Sequence, residues 1–154
     1  MKQLLLVSWL LSLSAILGLP EVKADVRMPL IFGNHMVLQQ DTRITIWGWA
    51  DAGENIEVLF AGQKVRTTAN ADGTWQVKLK PVKTKKKGET LTITGKNKLV
   101  YSDVLVGDVW VASGQSNMEW GIKVRKEYAD DIAHSEASLL RLFFVPKNTS
   151  LQPL

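Results

Sequence analysis

The chain has 154 residues, 45% hydrophobic and 22% charged, with a formal net charge of +4 and no cysteine. That length allows one ordinary domain, or a small one and part of another. The mild charge implies no nucleic-acid partner, and the missing thiols exclude disulfides, cysteine nucleophiles and cysteine-based metal sites.

The chain opens with Lys2, an apolar run from Leu4 to Leu17, and Val22-Lys23-Ala24. A basic start, an apolar centre and a small-x-Ala end make a secretory signal peptide, here residues 1–24. The run is short for the about 20 apolar residues of a membrane span. The expectation is an exported protein with no membrane segment after cleavage.

Residues 25–105 read as an all-β domain. Short apolar or alternating segments recur at Val37-Leu38, Arg43 to Trp49, Asn55 to Phe60, Gln63 to Thr68, Thr74 to Leu79, Thr90 to Gly95 and Leu99 to Val106. Turn signals separate them, among them Gly53, Ala61-Gly62, Asp72-Gly73 and Lys87-Gly88. This spacing predicts an antiparallel β-sandwich. The basic run from Lys83 to Lys87 reads as a solvated hairpin tip. Trp47 and Trp49 sit two apart and share one face of a strand. With Trp75 they read as core or interface packing, although aromatic platforms also stack on sugar rings.

From Val104 to Ala112 a β-branched run predicts a strand buried on both faces, as in a parallel sheet. Ser113, Gly114, Gln115, Ser116 and Asn117 then force a sharp turn, with Gly114 free to take angles closed to other residues. Val124, Tyr128 and Ile132 share a face over 123–134 and predict a helix. Leu139 to Val145 reads as a second buried strand closed by Pro146. Strand, helix and strand form a βαβ unit. A serine at such a strand-to-helix turn presents its hydroxyl at the carboxyl edge of the sheet, where open α/β sheets bind ligands. A helix-capping Ser116 is the competing reading.

Gly107-Asp108-Val109-Trp110 followed by Ser113 to Met118 resembles the first sequence block of the sialate O-acetylesterases, carbohydrate esterases of the SGNH-hydrolase superfamily. Met36 to Gln40 and Ile46 to Ala50 are similar to that family's amino-terminal β-domain, and Arg141 to Phe143 and Val145 to Thr149 also match. The Gly114–Met118 block lacks the closing glycine of the Gly-x-Ser-x-Gly elbow, which argues against the α/β-hydrolase fold. The resemblance implies a mixed fold: a β-sandwich followed at 106–154 by the first βαβ unit of an α/β/α SGNH-hydrolase domain, incomplete in these residues. It implies Ser116 as nucleophile and the backbone N–H of Asn117 as an oxyanion donor. Gln115 either positions substrate or satisfies the turn.

In the superfamily the base is the histidine of an Asp-x-x-His block; that spacing occurs here at Asp131-Ile132-Ala133-His134, inside the predicted helix. His35, in a turn, and His134, near the end of the predicted helix, do not fit that role. Asp108 is a candidate buttress of the turn and Glu119 an early-helix acid. Asn148-Thr149-Ser150 matches a glycosylation acceptor. No metal or other cofactor is expected, and the partner is an O-acetylated carbohydrate. The reading is an exported serine esterase that removes O-acetyl groups from sialic acid or another acetylated sugar, with these 154 residues expected to be an inactive part of it. The alternatives are a non-catalytic glycan-binding or structural β-sandwich module and an acetylxylan-type esterase.

Overall fold

The computed structural model describes residues 25–121 and 126–145. The expected signal segment 1–24, the start of the predicted helix at 123–125 and the glycosylation acceptor at 148–150 lie outside them. Seven strands form in chain order: β1 (Val37–Gln39), β2 (Ile44–Trp49), β3 (Asn55–Phe60), β4 (Gln63–Thr68), β5 (Thr74–Leu79), β6 (Lys85–Thr94) and β7 (Lys98–Gly107). Five make a mixed sheet in the order β1-β7-β6-β3-β4, and β2 pairs with β5 in a two-stranded sheet. One continuous core joins the inner faces, with Ile44, Ile46, Trp75, Val77 and Leu79 from the small sheet meeting Ile56, Val58, Phe60, Leu91 and Ile93 from the large one.

Local chemistry explains the hairpins. Along β2, Ile44 and Ile46 point inward while Thr45 and Trp47 point out, the period of two that a half-buried strand requires. Gly62 and Gly73 have φ of +74° and +80° at the β3–β4 and β4–β5 turns, where a Cβ would be strained. Asp72 Oδ1 accepts from the Thr74 backbone N–H at 2.9 Å and from its hydroxyl at 2.7 Å, so the turn is closed before β5 begins. These bonds also hold the Asp72 carboxyl below the usual range.

The sheet departs from the sequence expectation in three places. It is not wholly antiparallel, because β1 lies parallel to β7, Val37 opposite Leu105 and Gln39 opposite Gly107. The lysine run is not simply a hairpin tip, since Lys85–Lys87 opens β6, pairing Lys85 with Val106 before a register shift to Glu89 and Val104. The lysine side chains stay in solvent as expected. Gly88 sits at the shift, where a Cβ would stand 2.2 Å from Asp103 Oδ1. Trp47 and Trp49 do share a face, but it is the outer one. Trp75 alone of the three fills the core.

The third departure is the region after Gly107. Val104, Leu105 and Val106 are all buried, as a strand covered on both faces should be, but the strand stops at Gly107 and 108–115 hold no regular structure. The predicted helix is reduced to a 3₁₀ turn (Lys126–Tyr128) and α1 (Ala129–Ala133), with no buried residue in either. No strand forms at 139–145. The expected βαβ unit is therefore not assembled among the described residues. Its periodic pattern names a face to bury, and no described residue on that face is buried.

Candidate active site at the serine turn

The serine turn is built outward from the carboxyl end of the parallel pair β1–β7. Gln40 donates its backbone N–H to the Gly107 carbonyl at 2.9 Å, extending the pair by one link. Gln39 Oε1 accepts from the Val109 N–H at 2.9 Å, and Gln40 Nε2 donates to Asp108 Oδ1 at 3.1 Å. Two adjacent glutamines thus fix the first residues to leave β7. Asp108 does buttress the exit, through a partner some 70 residues away in sequence that local reading could not supply. The Gln39-Gln40 and Gly107–Trp110 segments thus meet here.

Val109, Trp110 and Val111 then run exposed to the turn. Gln115 bends the chain, and its carbonyl accepts from the Met118 N–H at 2.8 Å. Ser116 to Glu119 form a 3₁₀ helix. Ser116 is its first residue and its side chain is exposed. Asn117 lies in the same first turn, where backbone N–H groups have no acceptor within the helix. Gln115 is exposed beside them. The expectation for Gly114 is corrected: it does not use a positive φ. Its role is space, since a Cβ there would lie 2.6 Å from Met118 Cγ.

The structure brings no base to this serine among the described residues. His35 sits in its turn at φ 63°, and its Nδ1 lies 2.7 Å from Asp103 Oδ2. The same oxygen accepts from Arg141 at 2.8 Å. The His35 hydrogen bond, followed by the Arg141 charge, holds the Asp103 carboxyl below its usual value. Sequence reading missed this three-residue cluster, because its members come from three distant segments. The His134 ring caps the end of α1 by contacting the Asp130 carbonyl at 2.8 Å. Two cavities, of about 410 Å³ and about 250 Å³, lie on the outer faces of β3–β4 and β2–β5; neither includes Ser116 or Gln115 in its wall. Glu57 is in the wall of the larger, and its hydrogen bonds to Arg66 and then Lys64 hold its carboxyl below the usual range. Among the described residues no His, Asp and Glu group could hold a metal ion.

No family model matches the chain. It is 37% identical to the sialate O-acetylesterase of Rattus norvegicus over 128 residues, 73% of this chain and 23% of that protein. It is 32% identical to the sialate O-acetylesterase of Mus musculus over 136 residues, 79% of this chain and 25% of that protein. The crystal structure of a carbohydrate acetylesterase from Xanthomonas citri matches with a TM-score of 0.76 and 37% identity, covering 84% of this chain and 30% of that one. The chain thus spans about a quarter of the length of the curated relatives it matches.

Proposed function

Because this chain belongs to the sialate O-acetylesterase family over the part it shares with those proteins, we propose that it carries the nucleophile of an exported serine esterase acting on O-acetylated sugars, sialic acid or an acetylated polysaccharide. Residues 1–24 are then the export signal, 25–105 the β-domain and 106–154 the opening of an SGNH-type catalytic domain. The observation that carries the reading is an exposed Ser116 opening a 3₁₀ turn inside the Gly114–Met118 block.

In the reaction, Ser116 Oγ adds to the acetyl carbonyl carbon as a base removes its proton. The carbonyl oxygen becomes an oxyanion, and the Asn117 N–H donates to it. The sugar hydroxyl leaves with a proton, and water then cleaves the acetyl-serine. Gln115 borders the same turn and is the candidate to hold the substrate. The superfamily's base is the histidine of an Asp-x-x-His block; here that spacing occurs at Asp131–His134, and the His134 ring is engaged on the Asp130 carbonyl at the end of α1. Alone they are therefore expected to be nearly inert.

The test uses the natural protein carrying this sequence, assayed on O-acetylated sialic acid and on acetylated xylan. Ser116→Ala, with an unchanged circular dichroism spectrum, should lower kcat by about three orders of magnitude or more. Undiminished hydrolysis by that variant would remove Ser116 from the mechanism. The preferred substrate of the wild-type protein separates the sialate from the xylan reading.

A further inference from the structure

The outer face of the β2–β5 pair carries chemistry that the esterase reading does not use. Trp47 lies opposite Gln76 and Trp49 opposite Thr74, so these four side chains share one face of the sheet. Ile44 and Ile46 fill the core on the other side, while Trp47 remains 40% exposed. Phe32 meets Trp47 edge-on at a centroid distance of 6.3 Å, and Trp47 meets Trp49 the same way at 5.7 Å. Edge-to-face contacts hold the rings at fixed angles to one another. With Asn70 the four residues border the cavity of about 250 Å³.

We infer that this face is a binding site for an uncharged pyranose ring of a glycan chain. A pyranose has an apolar C–H face and a rim of hydroxyls. The indoles match the first, and the amides of Asn70 and Gln76 match the second. Asn70 Nδ2 is already used on Thr74 Oγ1 at 3.0 Å, which orients its carbonyl oxygen as an acceptor. Gln76 is exposed and its side-chain amide makes no hydrogen bond among the described residues, so that amide can both donate and accept.

The cavity falls just below the roughly 300–1,000 Å³ typical of sites that bury a drug-sized ligand. It suits one sugar ring, with the rest of the chain in solvent. No charged side chain stands in its wall. A sialic acid carboxylate would find no cation in that wall, since Lys78, the next outward residue after Gln76 on β5, stands outside it. An apolar protein partner would strand the Gln76 amide in a dry interface, which is costly.

The full 154-residue chain, labelled for heteronuclear NMR, is titrated with xylohexaose, lactose and sialyllactose. Xylohexaose should shift the indole N–H signals of Trp47 and Trp49. Trp47→Ala should weaken its binding about tenfold while Trp47→Phe keeps most of it, since an aromatic ring is retained. Sialyllactose should bind no tighter than lactose. The inference is overturned if no sugar shifts these signals, if Trp47→Ala binds xylohexaose undiminished, or if sedimentation reveals a dimer that Trp47→Ala dissolves. The readout is binding without hydrolysis, so its outcome is independent of the role assigned to Ser116.

Discussion

Residues 25–107 and residues 108–145 draw on similar amino-acid patterns and reach different states. Val104, Leu105 and Val106 lie between β1 and β6 and are buried, whereas Trp110 and Val111, a few residues on, are 88% and 90% exposed. Leu91 and Ile93 alternate into the core, while Leu139 to Val145, equally apolar, form no strand and are largely exposed. The difference lies in the neighbour rather than in propensity. An apolar run becomes a strand where a second strand supplies its hydrogen bonds and a core receives its side chains.

Paired substitutions can break this comparison. The largest contrast is expected between two phenylalanines. Phe60 on β3 is fully buried in the shared core and Phe143 is 64% exposed. Phe60→Ala should destabilise the fold by about 3–5 kcal/mol in urea denaturation. Phe143→Ala should stay within about 0.5 kcal/mol of wild type. Equal costs would mean that residues 139–145 are packed in solution, and the division between the regions would fail.

Two glycines give the next contrast. A Cβ on Gly48 would stand 2.2 Å from the Arg27 carbonyl oxygen, which accepts the Trp49 N–H at 2.9 Å. The obstacle is backbone, so Gly48→Ala should cost about 1–3 kcal/mol in the same measurement. A Cβ on Gly114 meets only the Met118 side chain, which can rotate away. Gly114→Ala should therefore change stability by less than about 0.5 kcal/mol. A larger cost would show that the serine turn is as tightly built as the sheet.

The same contrast explains what could be read from sequence. The bounds of β3, β4 and β5 follow from alternation and from Gly62 and Gly73, because hairpins between neighbours are encoded locally. The β1–β7 pairing was hidden, since three residues find their partner some 70 positions away. The start of β6 was masked by lysines whose side chains are solvated while their backbone pairs. At the candidate site, the Ser116 turn was legible from small polar residues in a short block. Its tether through Gln39 and Gln40 was not, because a glutamine carries no local sign of its acceptor. The periodicity at 123–145 names faces to bury but not what covers them.

The smallest expected effect concerns the link between the two regions. Asp103 on β7 takes His35 and Arg141 on one carboxylate oxygen, so it ties residue 141 to the sheet. Its φ of 52° suits asparagine as well as aspartate, so Asp103→Asn removes the charge without backbone strain. The folded pKa of Asp103 is lowered, so any stabilisation from its charge is fully present at neutral pH. It is lost as the pH falls below the ordinary 3.8 and through the folded value. Wild type should therefore lose stability on acidification through that range more steeply than Asp103→Asn. At neutral pH the variant should release residue 141, and trypsin should cut after Arg141 about two- to fivefold faster, the size of an exposed ion pair. Identical acid profiles and cleavage rates would mean that Arg141 is held by something other than Asp103. The unpartnered Arg141 Nε, buried among the described residues, would then be the place to look.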